Sequence, residues 1–567
     1  MAERWTEAQK AAITEKGRNI IVSAAAGSGK TSVLSERVCR FVADGGDIER
    51  LLVVTFTKAA SKEMRSRIRR KIADLCRGET DAAVKARLRR QLVKVGNARI
   101  STIDSFFGDL VRENFRVVGV SPNFGMADAT ETAAAEQEAL EKVISRAFEE
   151  MSDDFKTLID LVGGDIRNEK IPLDVKYISS KLATVPFRSE WLEEKKKLYS
   201  DPAYFTSFCC SYIADRIGEV LPSFEELLDS GLIGGQNNAS ALNEVVFKLR
   251  SALDAAEKGD WDGARTLEFE CRLTRRTKDD DVAAFDRFKQ LRKKVRDKSS
   301  GNGLFDLPLL MHSTAAVAKE LEVMRRPVSC LFDLVEAYSE ELRRICAEKN
   351  KYTFDMITEA ALRLLVKNYD HNSGAFEPTD LASAVAADFD GVMIDEYQDT
   401  SPVQDLCFAA VGRDDMFVVG DLKQAIYAFR GTSPECFAKK RDAFYRIDLN
   451  RNFRSRKGIL DFANFLFSML LSEKVGGVEY DDGEWLNHGE KAEPEQARPS
   501  PDVEFDVLRG DYENSLLESD ALKPYASHAA RRILGLVEKG DCGRKYEFSD
   551  IAVLCLSNGQ CEQIQRA

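Results

Sequence analysis

A short apolar run followed by a glycine-rich turn and a lysine is the feature that most constrains this chain. Residues 19–23 predict a buried strand, and residues 31–42 predict a helix. Glycines between them let backbone N–H groups approach anionic oxygens, a lysine reaches the terminal phosphates, and a hydroxyl holds magnesium. A plain glycine linker has no need of the Lys-Thr pair, so the order strand, loop, helix predicts a nucleoside-triphosphate site. Ala24 stands where the general pattern has its first glycine. The loop residues expected to hold nucleotide are Ala26, Gly27, Ser28, Gly29, Lys30 and Thr31.

A pair of acids follows another apolar run far along the chain. Asp395 and Glu396 come directly after residues 391–394, which predict a buried strand. A carboxylate at such a strand end faces a phosphate loop, so we expect Asp395 to bind Mg²⁺ together with Thr31. Glu396 can then accept a proton from the attacking water. Two solvated surface acids are the alternative, which the preceding strand disfavours. The sequence therefore predicts ATP and Mg²⁺ as ligands and ATP hydrolysis as the chemistry.

The remaining pattern predicts an α/β fold with a large helical insertion. Short apolar runs alternate with helical periods, which is typical of a parallel sheet covered on both faces. Such sheets bind ligands at the carboxyl ends of their strands. We expect a first sheet domain at residues 1–115 plus 386–445, an inserted helical domain at 116–385, and the first part of a second sheet domain at 446–567. The runs that predict strands are residues 19–23, 51–55, 99–102, 391–395, 416–420, 503–508 and 551–556, and residues 474–501 predict a surface loop.

Composition excludes several classes of protein. No apolar run approaches the roughly 20 residues of a membrane span, and the first residues lack the pattern of a signal peptide. The 12 cysteines show no Cys-x-x-Cys spacing, which favours a reducing compartment. The 4 histidines show no metal-ligand spacing, which argues against a zinc-based or histidine-based nuclease site. We expect a cytoplasmic protein without a membrane partner.

Basic stretches and exposed aromatics point to nucleic acid despite a net charge of −12. Residues 58–99 hold 14 Lys/Arg against 4 Asp/Glu, and residues 272–298 hold 11 against 5. Solvated helical faces are the plainer interpretation, but the first stretch adjoins the phosphate loop. Aromatic residues at strand ends can stack bases of a single strand at roughly 1–3 kcal/mol per base. Core packing explains any one of Phe56, Tyr427 or Phe429 alone; their clustering beside Gln and Arg favours contact with nucleic acid.

The ordered strings resemble those of superfamily 1 DNA helicases of the UvrD/Rep type. The resemblance implies a RecA-like ATPase domain with an inserted helical domain and the start of a second RecA-like domain. It also implies ATP-dependent movement along single-stranded or end-containing DNA in the 3′→5′ direction, in a nucleoid-associated cytoplasmic protein. The matching segments are residues 5–9, 55–64, 352–357, 395–404, 419–431, 449–455 and 550–558.

The same resemblance assigns roles to single residues. On the nucleotide side, Gln9 would read adenine, Gln398 would help to bind the nucleotide, and Gln424 and Arg454 would contact the γ-phosphate. On the DNA side, the resemblance implies contacts by Phe56, Thr57, Tyr427 and Phe429. Arg430 would couple the two sides.

Two features narrow the subgroup. The insertion of about 270 residues, and Asp104 where UvrD-type proteins usually carry His, are similar to AddA/RecB-type proteins. These are the helicase components of complexes that process double-strand breaks, so we expect the partner to be a second helicase–nuclease subunit. The alternatives are a stand-alone UvrD/Rep-like repair helicase, a DNA-binding subunit with a regulatory ATP site, or a P-loop ATPase of another kind.

The last two helicase motifs of this family have no counterpart in the sequence, and Pro501-Asp502 is not followed by a nuclease signature. We therefore expect the chain to be the amino-terminal part of a longer protein, with weak or no unwinding on its own.

Overall fold

The chain divides into two compact units. The computed structural model describes residues 5–162, 170–265, 275–296, 303–304, 307–413, 415–472, 475–489, 503–508, 522–540 and 545–566. One unit comprises Met1–Phe107 with Thr379–Ala567 and contains the central sheet; the other, Gly108–Pro378, is mostly helical.

The strands are β1 (Ile20–Ala24), β2 (Leu51–Thr55), β3 (Arg99–Thr102), β4 (Gly125–Met126), β5 (Lys351–Tyr352), β6 (Val366–Tyr369), β7 (Phe376–Pro378), β8 (Gly391–Ile394), β9 (Met416–Gly420), β10 (Tyr445–Leu449), β11 (Arg451–Asn452) and β12 (Asn487–His488). The helices are α1 (Glu7–Thr14), α2 (Lys30–Ala43), α3 (Lys58–Gly78), α4 (Ala82–Lys94), α5 (Ile103–Glu113), α6 (Phe115–Val118), α7 (Ala129–Glu150), α8 (Asp153–Val162), α9 (Lys170–Leu182), α10 (Arg188–Leu198), α11 (Pro202–Asp229), α12 (Gln236–Glu257), α13 (Trp261–Arg265), α14 (Val282–Val295), α15 (Thr314–Lys349), α16 (Phe354–Leu365), α17 (Asp380–Asp388), α18 (Pro402–Val411), α19 (Pro434–Ala443), α20 (Lys457–Leu470), α21 (Lys523–Lys539) and α22 (Asn558–Arg566).

The central sheet has six parallel strands in the order β10-β1-β9-β8-β2-β3. Every residue of β1, β2 and β9 is buried, because apolar side chains on both faces of these strands pack against helices. The predicted α/β class with a parallel sheet is confirmed, and each of its five predicted strands forms. The sixth strand, β10, lies at the sheet edge and alternates exposed with buried positions, so it lacks the apolar run by which the others were predicted.

Parallel pairing places the functional segments along one edge of this sheet. The carboxyl end of β1 leads into the phosphate loop, and that of β8 leads into Asp395. The end of β2 leads into Phe56, and that of β9 into Asp421. The strand ends therefore bring segments together that lie hundreds of residues apart in the sequence.

The helical unit has its own core. The helices α11, α12, α13 and α14 pack around Trp261, Phe224 and Phe288, which are fully buried. The helical period predicted from Leu140 and Val143 is confirmed in α7, where both side chains are buried. No helix in the described parts of the chain is long and apolar enough to cross a membrane.

Two strand predictions for the carboxyl-terminal third need correction. Residues 503–508 and 551–556 form no regular strand, and Phe505, Leu554 and Leu556 are exposed. An apolar run becomes a strand only when a neighbouring strand satisfies its backbone groups, and no described segment pairs with these two runs. The predicted surface loop is largely irregular and exposed at residues 475–489, apart from the short strand β12 and the buried side chains of Val478 and Tyr480. Residues 490–502, including Pro501-Asp502, lie outside the described residues.

Candidate nucleotide and nucleic-acid sites

The phosphate loop owes its shape to two glycines. Gly27 has φ +70° and Gly29 has φ +87°, in the left-handed region that favours glycine. Gly29 is the residue before α2, where no side chain caps the helix, and Lys30 is the first residue of the helix. The first N–H groups of an α-helix lack partners within the helix, so this end of α2 suits an anion. Thr31 follows in the first turn of α2.

Three residues predicted to act on the γ-phosphate meet at one point. Lys30 Nζ lies 3.0 Å from Glu396 Oε2 and 3.4 Å from Gln424 Oε1. Gln398 Nε2 donates a hydrogen bond of 2.8 Å to the same Glu396 oxygen. Glu396 has φ +52°, which is costly for a residue with a side chain and persists only where neighbours fix it. The phosphate-loop lysine and the candidate base therefore form an ion pair.

Two further acids, Asp395 and Asp399, lie beside the ion pair of Lys30 and Glu396, so the site as a whole has more acidic than basic groups. Burial raises the pKa of Asp395 to about 6, helped by the charge of Glu396 and opposed by Lys30. Burial and Glu396 likewise raise the pKa of Asp399 to about 6. Asp399 Oδ1 is buried without a hydrogen-bond partner. Oxygen ligands with excess negative charge suit a hard divalent cation, so Asp395 and the Thr31 hydroxyl fit Mg²⁺.

The Gln424 side chain is held from behind by Asp421. Gln424 Nε2 donates to Asp421 Oδ2 at 2.7 Å, which leaves Gln424 Oε1 directed at Lys30. The backbone N–H of Asp421 donates to Gln398 Oε1 at 3.0 Å. The segments that follow β8 and β9 are therefore joined by side-chain hydrogen bonds next to the phosphate loop.

The segment after β10 lies directly on the phosphate loop. Asn452 Nδ2 donates to the Ala26 carbonyl at 2.7 Å, and the Phe453 N–H donates to the Gly27 carbonyl at 2.9 Å. Asn452 Oδ1 accepts from the N–H of Arg454 at 2.8 Å, so the side chain of Asn452 joins the loop to Arg454. Asn452 is buried, and sequence reasoning gave it no role. The sequence signal that could have identified Asn452 is its position between Arg451 and Arg454, directly after a strand.

A cavity of about 410 Å³ opens beside the loop on the side of α1. Gln9 forms part of its wall, and its Nε2 donates to the Ser28 carbonyl at 2.9 Å. Gln9 Oε1 accepts from the Thr6 N–H at 3.0 Å as half of a capping box. The residues that line the cavity include Trp5, Thr6, Gln9, Ser28, Asn450 and Phe453. The structure thus places Gln9 beside the loop, with both ends of its amide bonded within the protein.

The predicted DNA-contacting aromatics form a row. The rings of Phe56 and Tyr427 stack with centroids 4.9 Å apart, and those of Tyr427 and Phe429 are 6.1 Å apart. Phe429 is 79% exposed, whereas a ring serving only the core would be covered. Thr57 caps α3 by accepting a hydrogen bond from the Ala60 N–H. The side chain of Arg430 lies outside the described part of the structure.

The basic stretch at residues 58–99 divides into two sets of side chains. Arg65 and Arg87 donate to backbone carbonyls, and Lys94 pairs with Asp47 and Glu49, so these cations stabilise the fold. A second set is exposed on α3, which begins beside Phe56: Lys58, Lys62, Arg69 and Arg70. The solvated-face interpretation therefore holds for only part of the stretch.

A parallel sheet whose first strand leads through a glycine-rich loop into a helix beginning with Lys defines the P-loop class of nucleotide-binding folds. Within that class, residues 5–445 match the UvrD/REP helicase N-terminal domain, and the chain belongs to this family. It is also similar to proteins named as the A subunits of ATP-dependent helicase/nucleases. That of Alkaliphilus oremlandii is 31% identical over 97% of this chain and 47% of its own length. That of Ruminiclostridium cellulolyticum is 30% identical over 97% and 49%, and that of Staphylococcus saprophyticus 29% over 100% and 47%.

The chain therefore spans about half the length of the curated relatives it matches. The resemblance to UvrD/Rep-type helicases, and within them to the A subunits of helicase/nucleases, is confirmed.

Proposed function

We propose that this chain is the motor part of an ATP-dependent DNA helicase or translocase, of the kind that forms the A subunits of helicase/nucleases. It would act on DNA ends in double-strand-break processing and recombinational repair, together with a second protein chain, in the cytoplasm at the nucleoid. Residues 1–115 with 386–445 would form the first RecA-like domain, residues 116–385 an inserted helical domain, and residues 446–567 the start of the second RecA-like domain. The observation that carries the proposal is the meeting of Lys30, Glu396 and Gln424 at the phosphate loop.

This geometry supports a sequence of residue movements around ATP. An incoming triphosphate competes with Glu396 for Lys30, because both are anions that seek the same ammonium group. Once Lys30 turns to the phosphates, Glu396 is released to accept a proton from the attacking water. Bound Mg²⁺, held by Thr31 and Asp395, would neutralise charge on the phosphate oxygens. Gln424 and Arg454 would then contact the γ-phosphate.

The sequence between Gln424 and Phe429 supports coupling of hydrolysis to DNA. Gln424 ends one 3₁₀ turn, and Phe429 lies in the next, so both belong to one short, connected segment. A shift of Gln424 on phosphate release would move Tyr427 against Phe56, where a base would stack. DNA can shift this equilibrium only through different affinities for the two arrangements, which is the role we propose for Arg430. The 3′→5′ direction follows from the family resemblance.

Steady-state ATP hydrolysis by the 567-residue chain, with and without single-stranded DNA, tests the proposal directly. We expect DNA to stimulate turnover, and Lys30→Ala to remove both basal and stimulated hydrolysis. ATP and DNA binding with little turnover would fit a helicase chain without the arginine that the last two family motifs supply, with a DNA-binding protein that has a regulatory ATP site as the alternative. A wild-type chain that binds neither ligand would contradict the proposal.

The exposed aromatic at the end of the row offers a second prediction. Phe429→Ala should weaken DNA affinity about tenfold, since one base–aromatic stack contributes roughly 1–3 kcal/mol. ATP affinity without DNA should stay within about twofold, because Phe429 lies in the 3₁₀ turn Ala428–Arg430 and its ring is 79% exposed. DNA-stimulated hydrolysis and fluorescent-nucleotide titration measure the two effects. Phe247→Ala is the matched control, since Phe247 is 71% exposed in the helical unit. Equal losses of DNA and ATP binding by Phe429→Ala would contradict the assignment.

A further inference from the structure

Glu484 is a largely buried acid that a series of side-chain contacts connects to the phosphate loop. Glu484 belongs to residues 475–489, which we call the brace. Its side chain is 12% exposed and pairs with Lys423, whose side chain is equally covered, with Nζ and Oε2 2.5 Å apart. Arg441 Nη1 lies 3.3 Å from the other Glu484 oxygen. Burial alone would lower the pKa of Lys423, but Asp421 and Glu484 raise it. The ion pair is therefore built into the interior of the unit.

Lys423 connects this acid to the nucleotide site. Lys423 Nζ lies 2.9 Å from Asp421 Oδ1, and the second oxygen of Asp421 accepts from Gln424 Nε2 at 2.7 Å. Gln424 Oε1 in turn lies 3.4 Å from Lys30 Nζ. Asp421 Oδ1 also accepts from the Lys423 backbone N–H at 3.2 Å, so Lys423 holds this oxygen through its backbone and its ammonium group, while Gln424 holds the other oxygen. The ammonium contact, which Glu484 positions, therefore adds to the orientation of the carboxylate. Without Glu484, Lys423 would keep Asp421 as its one anionic partner among the described residues, and its ammonium group would compete with Gln424 for the Asp421 oxygens.

The brace also supports the segment that carries Arg454. Strand β12 pairs in parallel with β11, and the Gly489 N–H donates to the Asn452 carbonyl at 2.8 Å. A Cβ atom at Gly489 would lie 2.3 Å from the Phe453 ring, so the backbone of the brace packs directly on this segment. Asn452 in turn bonds the phosphate loop and the Arg454 N–H. One short stretch therefore contacts the supports of both proposed γ-phosphate residues.

We propose that Glu484 is a positioning residue that makes the nucleotide site distinguish ATP from ADP. The brace holds Gln424 through Lys423 and Asp421. It also holds the backbone of Arg454 through Asn452. The positions of the two residues that would contact the γ-phosphate are therefore both fixed by the brace. This inference rests on the proposed function. Glu484 itself touches no substrate; its effect passes through the orientation of Gln424.

The test compares Glu484→Gln with Glu479→Gln, which removes the same charge from an exposed position of the brace. The measured quantity is the ratio of affinities for ATPγS and ADP, determined on the 567-residue chain. We expect Glu484→Gln to reduce this ratio about tenfold, because only the triphosphate uses Gln424, while Glu479→Gln leaves it unchanged. A uniform change in both affinities would reflect net charge alone and would overturn the proposal.

Two further measurements separate positioning from general destabilisation. Gln424→Ala should reduce the ratio by itself, and adding Glu484→Gln should reduce it no further, since both changes act on one contact. Additive losses would overturn the proposal. Backbone hydrogen exchange of residues 421–425 without nucleotide should speed up in Glu484→Gln and not in Glu479→Gln, and unchanged exchange would overturn the brace itself. Absence of nucleotide binding in the wild-type chain would instead contradict the proposed function. The hydrogen-exchange result would still show whether Glu484 holds residues 421–425 in place.

Discussion

Replacing Glu396 by glutamine is expected to lower the rate of ATP hydrolysis about 10³-fold, the size of a lost general base. The amide keeps an oxygen for the hydrogen bonds that Glu396 now accepts from Lys30 and Gln398, so the local structure should be retained. It cannot take a proton from water. It also no longer forms an ion pair with Lys30, which frees the ammonium group for the phosphates. We therefore expect ATP affinity to be equal or higher while turnover nearly disappears.

Single-turnover hydrolysis and nucleotide titration together measure these two effects. Glu435→Gln is the matched control, since Glu435 is an exposed acid in the first turn of α19 and lies in the same unit. The control should hydrolyse ATP like the wild type. If Glu396→Gln keeps more than about a tenth of wild-type turnover, another group is the base, and Asp399, whose Oδ1 has no hydrogen-bond partner, is the next candidate.

The parts of the site that the sequence predicts are those defined by local pattern. The phosphate loop is recognisable because a buried strand, positive-φ glycines at Gly27 and Gly29, and a helix follow one another within a few residues. Asp395 and Glu396 are recognisable for the same reason, since the strand before them is continuous and apolar. Parallel pairing then brings the two segments together, a consequence that strand order alone implies.

The parts that escape the sequence depend on contacts between distant segments. Glu484 resembles any surface acid, and only its pairing with Lys423, 61 residues earlier, gives it a role. Exposed and buried residues alternate in strand β10, which lies at the sheet edge, so no continuous apolar run predicts it. The opposite error occurs at residues 551–556, where an apolar run without a neighbouring strand stays irregular. The local sequence determines whether a strand forms only where neighbouring segments can pair with it and pack against it.

Gly27 gives the second large effect, because two separate constraints meet there. Its φ of +70° disfavours any side chain, and a Cβ atom would lie 2.7 Å from Asn452 Nδ2 and 2.8 Å from Arg454 Cβ. Such distances force Asn452 away from the Ala26 carbonyl that it now bonds. Gly27→Ala should therefore displace the segment carrying Arg454 as well as strain the loop. Strain and lost contacts of about 1–3 kcal/mol correspond to a loss of ATP affinity of roughly 5- to 150-fold.

Gly17→Ala separates the two constraints. Gly17 has φ +75°, close to the φ of Gly27, but nothing lies within 4 Å of a Cβ atom built there. Both variants should show a similar loss of thermal stability from the backbone, about 1 kcal/mol. Only Gly27→Ala should lose nucleotide affinity and, with it, the preference for ATPγS over ADP that we propose for Arg454. Wild-type affinity in Gly27→Ala would mean that the contact between the loop and the Asn452–Arg454 segment has no part in nucleotide recognition.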